Sequence, residues 1–179
     1  MKYFTMDWWL AFQNPDMPEK DAARPQQEYE RHYKSIKKHL PKRFLTFDKS
    51  YSLHDATLLK LSLNADKEQI KIKFMLAVVH KKFIEGRNGT LIYSGVTDFT
   101  SSKRAEVSLV DSTYNYGHLG YDEIEMISPG VFEHRMLFSS GAEFGIVGSP
   151  PHVWRIVRDP RPAETPVRFT STRVENRRC

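Results

Sequence analysis

Apolar side chains recur at helical spacing over the first forty residues. Phe4, Trp8 and Phe12 stand four apart, which predicts a short helix over 5–13, with Thr5 or Asp7 able to cap its start. The stretch "NPDMPEKDAARP" is rich in proline and charge and reads as a loop. Pro25 suits the first position of a second helix, over 25–40. Tyr29, Tyr33, Ile36 and Leu40 follow the i, i+4, i+7, i+11 pattern, a stripe that needs an apolar surface to pack on. Lys37, Lys38 and His39 then complement the helix dipole in the last turn, and Pro41 stops the helix.

From residue 56 the period changes to two. Leu59, Leu61 and Leu63 alternate with Lys60 and Ser62, "NADKEQ" turns the chain, and Ile70, Ile72, Phe74 and Leu76 alternate with Lys71 and Lys73. One apolar and one wet face indicate antiparallel pairing. Asn88–Gly89 is a hairpin-turn signal, because both residue types tolerate positive φ. "AEVSLV", "YDEIEMI", "VFEHRMLF" and "AEFGIV" read as further strands, the last three separated by "SPG" and "SSGA". The expected fold is α+β and mainly β. An antiparallel meander of about seven or eight strands forms a barrel or sandwich, with two N-terminal helices over one face or one end. No period repeats along the chain.

After Val147 the texture changes. Five prolines and seven arginines fall in residues 148–179 without a clear apolar period. The expected organisation is one domain over 1–147 and an Arg/Pro-rich tail over 148–179, with "VWRIV" as one more short strand at most.

Charge follows the same division. Of the formal +5, residues 155–179 supply seven arginines against three acids, leaving 20 basic and 19 acidic side chains elsewhere. A nearly neutral body without a concentrated basic patch argues against nucleic-acid binding, except through the tail. Cys179 is the single cysteine, so no internal disulfide or multi-thiolate zinc site forms, and a reducing compartment is expected. "MKYFTMDWWLAFQ" lacks the pattern of a signal peptide. No window reaches the roughly 18 apolar residues of a membrane span. These features predict a cytoplasmic chain.

"MKYFTMDWW", the Tyr-rich helix ending in "LP", "LHDATLLKL" and "LIYSGV" together resemble a bacterial family of cytoplasmic proteins without an established activity. The same Leu-His-Asp-Ala strand start recurs in small bacterial β-rich groups, some of which resemble immunity proteins of contact-dependent or polymorphic toxin systems. The resemblance covers residues 1–147. It implies a bacterial, cytoplasmic, β-rich protein, and it carries no catalytic residue over. From Gly148 the tail departs from the family pattern and reads as a divergent terminus.

His54 and Asp55 are the first chemical candidates, as a proton-transfer pair or two metal ligands. Strand alternation opposes this, since neighbours point to opposite faces. Asp55 shares parity with Leu59, Leu61 and Leu63. The structural expectation is that Asp55 is buried at the strand end, accepting backbone N–H bonds, with His54 beside it. His134 shares parity with Phe132, Met136 and Phe138 and is expected inside, as a satisfied core histidine. Only a meeting of His54, Asp55 and His134 in space would make an enzymatic site. No histidine spacing matches a metal motif, no phosphate loop or nucleophile elbow is present, and no metal or cofactor is expected. "DSTYNYGHLGYDE" offers Tyr114, Tyr116, His118 and Tyr121 as a binding loop, while Trp8 and Trp9 read as helix anchors. The leading expectation is a non-enzymatic module that binds a protein partner, immunity-like. The alternatives are a small-ligand-binding barrel or a hydrolase-like enzyme using His54, Asp55 and His134, and nucleic-acid binding through the tail.

Overall fold

The computed structural model describes residues 1–51, 53–80, 83–102 and 116–158. The first helix, α1 (Met6–Phe12), is capped as expected, with Thr5 Oγ1 accepting the N–H of Trp8. The second, α2, spans Glu19–Ile36 and starts six residues before Pro25. Glu19 and Asp21 in its first turn suit the dipole, and the buried Pro25 is tolerated inside at the loss of one backbone hydrogen bond. Pro41 does end the apolar stripe, but it also opens a third helix, α3 (Lys42–Ser50), which buries Phe44 and Phe47 one turn apart. The expectation of two helices is thereby corrected to three. A proline stop read as the end of helical structure hides a proline start.

Eight strands follow. They are β1 (Ala56–Asn64), β2 (Gln69–His80), β3 (Phe83–Tyr93), β4 (Asp98–Ser102), β5 (His118–Ser128), β6 (Val131–Phe138), β7 (Glu143–Gly148) and β8 (His152–Arg158). All pairings are antiparallel, in the order β4-β7-β6-β5-β1-β2-β3-β8. The fold is therefore α+β and mainly β. The sheet is neither a sandwich nor a barrel closed edge to edge, since β4 and β8 stand at opposite ends of the order.

It is nevertheless rolled. β3 and β4 are six positions apart in the order, roughly 29 Å in a flat sheet. The connecting residues 94–97 reach at most about 17 Å. The ends must curl toward each other, and backbone bonds pin the bend. Ser149 N–H donates to Ser94 O at 3.0 Å, and Thr97 N–H to Val147 O at 2.9 Å. Gly148 is needed there, because a Cβ would lie 2.9 Å from the Gly95 carbonyl oxygen. Residues 83–102 thus run against 143–158 as two long bent strands. β8 belongs to the sheet, so 148 is not a domain boundary. Residues 159–179 lie outside the described residues, as does the expected strand "AEVSLV".

Two local expectations fail for definable reasons. Asn88–Gly89 is no hairpin turn. It lies inside β3, paired with β2 on one side and β8 on the other. Gly89 is there for space, since a Cβ would meet Leu76. In β1 a bulge between Leu58 and Lys60 shifts the register. Ala56 and Leu58 are buried while Leu63 is 61% exposed, so the leucine face read over 59–63 switches sides at the bulge.

The core fills the rolled sheet and the space beneath α2 and α3. Ile72, Phe74, Leu91, Met136, Phe138 and Phe144 meet Ile36, Leu40, Phe44 and Phe47 in one cluster. β1 and β5 pair only at Ala56–Leu119 and Thr57–His118. Beyond that point α2 lies against β5, and the Ile124 N–H donates to the Tyr29 hydroxyl at 3.0 Å.

Candidate functional site

The junction "LHDA" turns out differently from the alternation reading. β1 begins at Ala56, so His54 and Asp55 sit in the turn before it. Asp55 has φ +63°, a left-handed conformation that aspartate tolerates better than most residues. Its N–H donates to Leu119 O at 2.8 Å. Its carboxylate is 71% exposed and lies 3.8 Å from His54 Nε2. The expected buried carboxylate is corrected, because positive φ turns the chain before the strand's alternation starts. The His54 ring bonds the Gly120 carbonyl through Nδ1 and packs on Tyr121. Backbone and imidazole, not the carboxylate, fasten the helices to the sheet. Asp55→Ala is expected to lower stability by about 1 kcal/mol through backbone strain, and Asp55→Gly to retain it. Urea denaturation of both variants checks this. Equal losses would assign the effect to the carboxylate.

His134 is inside, as expected, at 1% exposure. Its Nε2 lies 2.9 Å from Asp122 Oδ2 and its Nδ1 2.7 Å from the Tyr93 hydroxyl. The carboxylate fixes the proton on Nε2, so the Tyr93 O–H donates to Nδ1. Tyr93 is fully buried, and burial pushes its hydroxyl pKa well up. Only Asp122 is partly open, at 28%, between β5 and the helices, where Tyr33 donates to Asp48 at 2.8 Å. This chain of groups has the form of a proton relay, but its hydroxyl end lies within packed core. Its evident work is structural, spanning the interior from β6 to β3. His54 lies with Tyr121 and His134 with Asp122, successive β5 residues whose side chains leave opposite faces. The structure does not join His54, Asp55 and His134 into one hydrogen-bonded site. Among the described residues no cluster of acids, histidines and cysteines could hold a metal ion.

The residues expected in a binding loop are dispersed. From His118 onward the segment is β5 rather than loop. His118 Nδ1 lies 3.2 Å from Thr57 Oγ1 across the β1–β5 pair. Tyr116 packs on Phe138 and Phe144 and covers core. Tyr114 lies outside the described residues. Tyr121 alone reaches an accessible site. It stacks on Phe4 with ring centres 4.8 Å apart and meets both Trp8 and Trp9 edge-on.

That site is an open cleft of about 480 Å³ between α1 and α2, lined by Trp8, Phe12, Ala22, Ala23, Tyr121 and three polar residues of α2. α1 is held over β5 by a carboxylate that the sequence reading does not single out. Glu123, 1% exposed, accepts the backbone N–H groups of Lys2, Tyr3 and Phe4 at 2.8, 2.6 and 2.7 Å. Three successive N–H groups converging on one anion form a backbone nest. Arg135 stands 3.7 Å from the same carboxylate. Gly120 lets the Trp9 ring lie flat on the strand, since a Cβ there would overlap it. The only sequence signal for Glu123 is its alternation with Ile124 on a strand, which places it on a face without saying what covers it.

No family model, curated protein or solved structure matches the chain. No helix among the described residues is long and apolar enough to cross a membrane.

Proposed function

We propose that this chain is a non-enzymatic protein-interaction module, immunity-like in kind, that binds through α1 and the cleft beside it. One observation carries the reading. Six of the seven residues of α1, "MDWWLAF", are apolar, yet none is buried. A helix that is apolar on nearly all sides is ordinarily covered on all sides. Here the chain covers one side with Tyr121 and β5, leaving Leu10 51% and Phe12 48% exposed. An apolar patch of this kind beside a concave cleft marks an interaction surface. The internal location of the Asp122–His134–Tyr93 chain supports the non-enzymatic half of the reading, because a reacting group must be reachable.

A photo-crosslinking amino acid at position 10, compared with one at the exposed Lys71 on β2, tests this in cells of the source. The expected result is a discrete protein adduct from position 10 alone, lost when Ala23→Arg fills the cleft. Absence of any adduct at position 10 would overturn the reading.

A further inference from the structure

We propose that the occupant of the α1–α2 cleft is a second copy of this chain, in a symmetric dimer where Leu10 and Phe12 of each copy enter the cleft of the other. This deepens the interaction reading by naming its partner, and it rests on that reading. A two-fold interface is made of one patch facing itself, so the patch must carry both a projection and the recess that receives it. The α1–α2 face does. Leu10 and Phe12 project, and the recess begins beside them, with Phe12 and Trp8 as one wall and α2 as the other.

The α2 wall is Glu19, Ala22, Ala23 and Gln26, a stripe at i, i+3, i+4, i+7 along one helix face. Its two middle positions are alanines, which leave room for an incoming side chain. Charge favours a second copy over a strongly charged partner. Near a two-fold axis a charged group faces its own image, so such a patch must be nearly free of charge. Glu19 is the single charged residue of the lining, and it stands at the end of the stripe. Tyr121 and Trp8 give the recess the rigid aromatic walls that anchor interface cores.

Size sets the expected strength. The 18 residues of α2 span about 27 Å, and two helices side by side are about 20 Å wide. Such a face offers on the order of 500 Å², short of the roughly 800 Å² per partner of a standard stable interface. The dimer should therefore dissociate in the micromolar range or above and vary with concentration.

Sedimentation velocity on the full chain, from about 1 to 500 µM to bracket that range, reads this directly. The expected result is a rise from monomer to dimer mass. Phe12→Asp and Ala23→Arg each weaken association at least about tenfold, the loss of one interface anchor. Their melting temperatures stay at the parent value, because neither side chain is in the core. A mixture of the two variants recovers dimer. The carboxylate introduced in one copy then meets the guanidinium introduced in the other across one half, while the second half keeps the parent contact. A monomer at every concentration, or a dimer indifferent to both substitutions, overturns the proposal. A monomer that still yields a position-10 adduct overturns only the identity of the partner. A monomer without an adduct overturns the interaction reading with it.

Discussion

Tyr93→Phe is expected to cost about 1–3 kcal/mol of stability although it removes one oxygen atom. That oxygen donates to His134 Nδ1 in a buried setting. Its loss leaves an acceptor without a partner and without water, and the penalty is the desolvation of that acceptor. His134→Leu removes both bonds of the imidazole and should cost a similar amount. It strands the Tyr93 hydroxyl, whereas Asp122, partly open at 28%, can turn to solvent. The double variant Tyr93→Phe/His134→Leu has no orphaned group between β3 and β6. It should therefore be more stable than the sum of the single losses implies, by roughly 1–2 kcal/mol, the coupling expected of partners in one network. Urea denaturation of the four proteins measures the cycle. Additive losses would mean that the two side chains do not bond across the interior.

The reason this pair matters so much is topological. β3 and β6 are four positions apart in the strand order, about 19 Å in a flat sheet, yet the two side chains meet at 2.7 Å. The contact exists only because the sheet rolls. It ties the two meanders, β1-β2-β3 and β5-β6-β7, across the space that the apolar core fills.

Glu123→Ala is expected to release the N-terminal segment while the sheet stays folded. Three charge-assisted backbone bonds converge on this carboxylate. Hydrogen bonds to a charged group are each worth about 1.5–3 kcal/mol. They do not add in full, because the segment can lift off and give its N–H groups to water. The measurable loss is thus capped by the free energy of undocking residues 1–13, on the order of 3 kcal/mol. The expected signature is a red shift of Trp8 and Trp9 fluorescence, with amide-exchange protection lost over 1–13 and kept over β1–β3. Gly120→Val should give the same signature from the other side, because a branched side chain cannot share the space of the Trp9 ring. Either variant leaving the fluorescence unchanged would show that α1 does not depend on this clasp. Both should also abolish the position-10 adduct, since the recess loses its α1 wall.

Much of the architecture is legible in the pattern of apolar positions. The Tyr29–Tyr33–Ile36–Leu40 stripe does face the core, where Ile36 and Leu40 are buried. The even positions from Ile70 to Leu76 line the interior. His134 falls inside with Phe132 and Met136. These survive because a period averaged over several residues reports which side of an element meets water. Single-residue readings fare worse. Strand parity misplaces Asp55, which stands one residue before the strand begins. The turn preference of Asn88–Gly89 is overridden by packing against Leu76. Pro41 terminates one helix and initiates the next.

The candidate site is less legible than the fold. Tyr121 is visible as an aromatic residue among glycines, and Trp8 and Trp9 as anchors. Nothing local marks Glu123 as the acid that clasps the N-terminus, or Tyr93 as the partner of His134. Glu123 lies 119 residues from Phe4 in the chain. Tyr93 lies 41 residues from His134. Such pairs are set by how the sheet rolls.

By itself, then, the sequence determined that this chain makes helices first and an antiparallel sheet afterwards, and which faces of most elements are apolar. Periodicity is a local property, and burial imposes it on each element separately. Only the tertiary structure decided that the sheet rolls without closing edge to edge, that β8 belongs to it, and that "LHDA" is a backbone junction. It alone also left α1 half covered beside an open cleft. Those outcomes depend on strand order, on close approaches at Gly120 and Gly148, and on carboxylates reaching across the chain, which no local pattern records.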